Sequence, residues 1–170
     1  MQTLIQILFH VPVWVWALLA FLLFMGLRLS REQLMSRNRL MLLPAIWLIY
    51  GAWGVQNSFG LNPAPLLSWA AGLASSVALL RYSGWPGAAR FERATGLFRV
   101  PGSWLPLALM LTIFSAKFAL GMSLAFHPDY AGQTAIASGF SALFGLLSGA
   151  FLGRSLNILG SARRAAPAYA

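Results

Sequence analysis

Residues 104–126 read WLPLALMLTIFSAKFALGMSLAF, 23 residues with a single charge, Lys117. At 1.5 Å rise per residue such a helix is ~34 Å long, enough to cross a hydrocarbon core of about 30 Å. Four more apolar stretches flank it, over about residues 4–27, 40–55, 64–80 and 132–152. The expectation is therefore an all-α, polytopic transmembrane helical bundle of five spans, occupying residues 1–170 as one domain.

Composition points the same way. The chain is 59% apolar and only 9% charged, and its mean hydropathy is +0.71. Soluble domains carry roughly a quarter charged residues, so the polar surface that water requires is missing here. The formal net charge is +9. Its arginines sit between apolar runs, which is the pattern of cytoplasmic loops on an anionic leaflet, not of a nucleic-acid-binding face. Membrane lipids, with anionic headgroups at those arginines, are the expected partners, and nucleic acid is not. Cysteine is absent, which excludes disulfides, thiolate metal sites and thiol nucleophiles.

The arginines also orient the chain. Arg28, Arg31, Arg37 and Arg39 lie after the first span, and Arg81, Arg90, Arg93 and Arg99 after the third. Arg154, Arg163 and Arg164 follow the fifth, whereas the N-terminal segment and the two other loops carry no lysine or arginine. Alternation across five spans puts all eleven on one side, and the positive-inside rule makes that side the cytoplasm. Loops 28–39 and 81–103 and the tail 153–170 are then cytoplasmic, with the N-terminus outside, in a bacterial inner membrane. Residues 1–9 carry no charge and no small-x-small site follows, so the first span reads as retained rather than as a signal peptide. Trp53, Trp69, Trp85, Trp104, Tyr82 and Tyr130 fall near span ends, as interfacial belts do.

Between spans, Ser30 and Gln33 have capping-box spacing, which predicts a short surface helix after Ser30. Pro44 suits the first turn of the second span. Arg90-Phe91-Glu92 and Leu97-Phe98-Arg99-Val100 flank Thr95-Gly96, the pattern of a short cytoplasmic β-hairpin, with an amphipathic helix after Pro86 as the rival over residues 88–101.

Chemistry centres on Lys117. A charge at a helix centre costs ~2.5–3.5 kcal/mol on insertion scales, so such residues face the bundle interior or water and mark sites. No carboxylate falls within a span: Glu32 and Glu92 lie on the arginine side, and Asp129 is twelve residues further on. An anion or proton site is one reading. A lysine stem snorkelling outward, or bonded to carbonyls, is the other. Tyr50 and Ser115, with Thr112, Ser138 and Ser141, are candidates for its polar surroundings. On the outer side His10, His127 and Asp129, with Gln56 and Asn57, could line a second pocket. Two histidines on different spans can hold haem, and histidine with aspartate can hold zinc, but the spacing carries no motif, and no cofactor or metal is expected.

Gly145, Gly149 and Gly153 recur every fourth residue, as do Ser68, Gly72 and Ser76. Small residues four apart let helix backbones approach closely. Two readings follow: tight packing of the third and fifth spans within one bundle, or a homodimer through the fifth. Nucleotide-binding P-loop, zinc-protease and serine-hydrolase motifs are absent, and an enzyme is not expected.

The aromatic-rich first span, the arginine loop after it, and Arg99-Val100-Pro101-Gly102-Ser103-Trp104 leading into a lysine-bearing span form a recognisable arrangement. It resembles small proteobacterial multi-pass inner-membrane proteins that make up a family of unknown function. That resemblance implies a topology and no activity. Three functional readings stand: transport or sensing of a small solute, ion or proton at Lys117; a non-catalytic assembly partner acting through a glycine-zipper helix; and a haem or metal protein.

Overall fold

The structure, a computed structural model, describes residues 12–60, 62–85 and 89–164. Five helices carry it: α1 Val13–Leu29, α2 Arg37–Phe59, α3 Pro63–Ser83, α4 Leu105–Phe126 and α5 Thr134–Arg164. Three short strands, β1 Gln33–Met35, β2 Arg90–Glu92 and β3 Leu97–Val100, form one antiparallel sheet in the order β1-β3-β2. A 3-10 turn, Pro128–Gly132, joins α4 to α5.

Local chemistry sets the boundaries. The Ser36 hydroxyl accepts from Arg39 N–H (3.4 Å) and starts α2, which Gly60 ends at φ 69°. Asn62 Oδ1 accepts from Ala64 N–H (3.1 Å) with Pro63 first in α3, and Gly84 closes that helix in the left-handed region. Because Ser36 caps α2, Pro44 is interior and buried rather than in the first turn, and the Leu40 carbonyl loses its helical donor.

No helix follows Ser30. Its hydroxyl donates backwards to the Leu27 carbonyl (2.8 Å) at the end of α1, and the next residues enter β1. Pairing decides this: Gln33 lies opposite Val100 and Met35 opposite Phe98. Residues 90–92 and 97–100 are paired strands joined by a turn, and not a helix. Phe91 faces Phe98 with ring centroids 5.0 Å apart, and Gly96 turns the chain at φ 67°. Alternation sends Phe98 and Val100 inward and Arg99 outward. Arg99 is bound by Glu32 (2.9 Å) and approached by Glu92 (3.7 Å). The Glu32 hydrogen bond, then its charge, hold the exposed guanidinium above its ordinary pKa.

The fifth helix overruns its expected end near 152 by twelve residues, as far as Arg164. Ile158, Leu159 and Ala162 on this extension pack with Met35, Leu40, Ala89, Phe98 and Val100, so the sheet has an apolar floor on α5. A second core of Leu22, Leu109, Met110, Ile113 and Phe151 fills the bundle between α1, α4 and α5.

The tightest helix pair is α3 with α5. A Cβ at Gly145 would overlap the Trp69 carbonyl, and one at Gly72 the Ala142 carbonyl. At Gly149 it would lie 2.5 Å from the Leu73 carbonyl oxygen, and at Gly153 3.0 Å from Leu80 Cβ. Backbone therefore meets backbone, which only glycine permits. Similar contacts seat α1 on α4, where Gly26 abuts Leu107, and tie the loop before α4 to α1, where Gly102 abuts the Ser30 carbonyl. Large apolar side chains including Phe21, Ile49, Leu67 and Leu79 remain on the outer surface. Three helices, α3, α4 and α5, are long and apolar enough to cross a membrane. The described part of α1 is apolar over 17 residues, and α2 starts with Arg37-Asn38-Arg39.

Gly145→Val is expected to destabilise the detergent-solubilised protein by about 1–3 kcal/mol or more, because a backbone carbonyl must move. Gly139→Ala, on the same helix but with open space at its Cβ, is expected to leave the melting temperature unchanged. Equal melting temperatures for the two variants would contradict the close contact.

Candidate functional site

Lys117 occupies the thirteenth position of the 22-residue α4 and is half-buried. Its ammonium lies against Gly54 of α2, in space a Cβ there would fill. The Nζ atom stands 4.4 Å from the Phe144 ring centroid on α5 and 5.5 Å from that of Tyr50 on α2. Tyr50 and Gly54 are four residues apart and share a helix face, which is how α2 offers a ring and a gap together. A desolvated cation over an aromatic face gains about 2 kcal/mol, so the rings replace part of the lost hydration.

The carboxylates are elsewhere. Glu32 and Glu92 are engaged by Arg99 at the sheet, and Asp129 lies exposed in the 3-10 turn. Among the described residues none forms an ion pair with Lys117. Instead the lysine lines a cavity of about 300 Å³ between α1, α2 and α4, with Leu18, Phe21, Trp47, Tyr50 and Phe114. Trp47 is fixed there by stacking on Phe151, centroids 5.7 Å apart. The arrangement is a lysine amine with room beside it.

Other anticipated residues fall into place around this centre or away from it. Tyr50 is at the lysine, whereas Ser115 is exposed. Thr112 is also exposed and donates to the Ala108 carbonyl (2.8 Å). Ser141 is fully buried, and its hydroxyl has no partner among the described residues. The Ser68 hydroxyl donates to the Ala64 carbonyl of its own helix (2.9 Å), and Ser76 is buried against Gly149. His127 is exposed and stacks on Tyr130, centroids 4.9 Å apart. His10 lies outside the described residues. No cluster of three metal-capable side chains occurs among those described. The Gly145, Gly149 and Gly153 face is taken by α3 of the same chain, so a second copy would need another surface.

One residue escaped the sequence reading. Arg154 stands among the tail arginines by composition, yet it is only 7% exposed, inside the bundle. Its guanidinium sits 5.8 Å from the Trp85 ring centroid, and its Nε has no hydrogen-bond partner among the described residues. The turn bearing Trp85 is held to α5 by Asn157, whose amide donates to the Leu80 and Trp85 carbonyls (2.6 and 2.7 Å). The available signal was the seven-residue recurrence Phe144, Phe151, Ile158, which runs past Arg154 and marks a helix face that does not stop.

Gly54→Val is expected to destabilise the protein by about 1–3 kcal/mol by overlapping the lysine. Lys117→Ala in the same chain should restore most of that loss, a non-additivity of at least about 0.5 kcal/mol in a double-mutant cycle of detergent-state unfolding. Strict additivity would mean that the two residues do not touch.

No curated protein and no solved structure matches this chain. A family model does, over residues 1–169. The chain belongs to the family of unknown function DUF6622.

Proposed function

We propose that this chain is a five-span protein of the bacterial inner membrane that binds a small anionic or proton-carrying solute at Lys117, in transport or sensing. The observation behind this reading is the lysine itself: a half-buried cation at mid-helix, set between two aromatic rings and a glycine, with a cavity at its side and no carboxylate paired to it among the described residues. A lysine serving only as a snorkelling stem would send its ammonium along α4 to the interface. This one turns sideways, towards α2 and α5.

The orientation has its own support. Arg90 and Arg99 belong to the sheet, Arg31, Arg37 and Arg39 flank β1, and Arg154 lies on α5 beside them. The opposite end of the bundle carries His127, Asp129, Gln56 and Asn57. One strongly basic end and one nearly uncharged end fit N-out, C-in insertion. Absence of cysteine makes the topology simple to measure. Single cysteines replacing Asn57 and Asp129 should react with an impermeant maleimide in intact spheroplasts, and one replacing Thr95 only after permeabilisation. The reverse pattern would invert the orientation, and labelling of Asn57→Cys and Asp129→Cys from different sides would remove five spans.

For the lysine, purified protein in proteoliposomes is to be assayed for chloride, acetate and proton flux. The wild type is expected to pass at least one of them, and Lys117→Met to lose it at least tenfold while keeping its elution volume and helical content. A silent wild type, or undiminished flux in Lys117→Met, would sink the reading.

A further inference from the structure

A second cavity, of about 280 Å³, lies at the basic end between α1, α2 and α5. Its rim holds Arg28 from the end of α1, Gln33 from β1, Arg39 from the start of α2, and Arg154 from α5. Its floor is apolar, with Leu43, Ile46 and Phe151. Ile46 also lines the Lys117 cavity, so the two spaces follow one another along α2, and the apolar floor leads from the arginines into the bundle.

Three arginines line this space and no carboxylate does. Two of the chain's three acids are engaged by Arg99 on the sheet, and the third is at the far end. Arg154 is the decisive member. It is more than nine-tenths buried, lines the cavity, and leaves its Nε without a partner among the described residues. Removing one partner from a buried ion pair is strongly destabilising, and a buried guanidinium with only a ring beside it is in a comparable position until an anion arrives. Planar, forked donors suit phosphate oxygens, which accept two N–H bonds from one arginine.

We infer that this cavity is a binding site for the phosphate of an anionic membrane lipid, with Arg154 as the buried anchor, Arg28 and Arg39 closing on the exposed oxygens, and the first methylenes of the acyl chain on Leu43, Ile46 and Phe151. The apolar floor selects a lipid over free phosphate: a soluble anion would leave that surface uncovered, whereas a diacyl chain covers it. The site is independent of Lys117, and its failure would leave the lysine reading untouched.

Native mass spectrometry of the full chain in a neutral detergent tests this, with dioleoyl phosphatidylglycerol and dioleoyl phosphatidylcholine as probes and inorganic phosphate as competitor. One phosphatidylglycerol per chain should bind at a concentration at least tenfold below that needed for phosphatidylcholine. Arg154→Gln and Arg39→Gln should each weaken it at least fivefold, and Arg81→Gln, which lines a different cavity, should not. Arg39 is exposed, so its variant decides the matter if Arg154→Gln does not fold. Equal binding of the two lipids, or unchanged binding in Arg39→Gln, would overturn the proposal. Displacement of the lipid by millimolar phosphate would overturn the choice of a lipid in favour of the free anion.

Discussion

The close approach of α3 and α5 governs this molecule. In a bilayer, helices gain little from hiding apolar surface, because the lipid is as apolar as they are. Association must come from dispersion and from backbone contact, and both need small residues. Gly145, Gly149 and Gly153 on one helix and Gly72 and Ser76 on the other supply them. Once α3 is seated, α5 has a fixed rotation. That rotation turns Phe144 toward Lys117, Phe151 toward Trp47 and Arg154 toward the basic cavity. The two charged sites thus depend on one helix contact, through Phe144 and Arg154, ten residues apart on α5.

The bundle treats Lys117 and Arg154 differently. Lys117 meets rings and a glycine, so its surroundings are soft and lack fixed acceptors. Arg154 also meets a ring, but it shares its space with two further arginines. A point charge on a flexible stem suits a solute that must leave again. A rigid fork between two others suits an occupant that stays.

Much of this was readable from residues alone, and the division is physical. Apolar stretches and the four-residue glycine spacing are local patterns, and the described helices built from them begin close to where they were expected. The sheet's third strand was not readable, because Gln33-Leu34-Met35 becomes a strand only by pairing with Phe98-Arg99-Val100, far along the chain. Capping-box spacing at Ser30 was outweighed by that pairing. The overrun of α5 has the same origin: Gly153-Arg154 looks like a membrane exit, but Ile158 and Ala162 find an apolar sheet waiting. Around Lys117, the nearby Tyr50 was a candidate, while Gly54 and Phe144 were not, since a glycine gives no chemical signal and Phe144 is one phenylalanine among twelve.

The dependence on α5 has a consequence for biosynthesis. This helix closes both cores and backs the sheet, yet the ribosome makes it after the other four. At roughly 5–20 residues per second, several seconds separate the end of α3 from the emergence of its partner. During that interval the Gly72 and Ser76 face of α3 has no partner helix, the β-strands lack their floor, and Lys117 lacks one of its two rings. Until the last helix is made, neither hydrophobic core is complete.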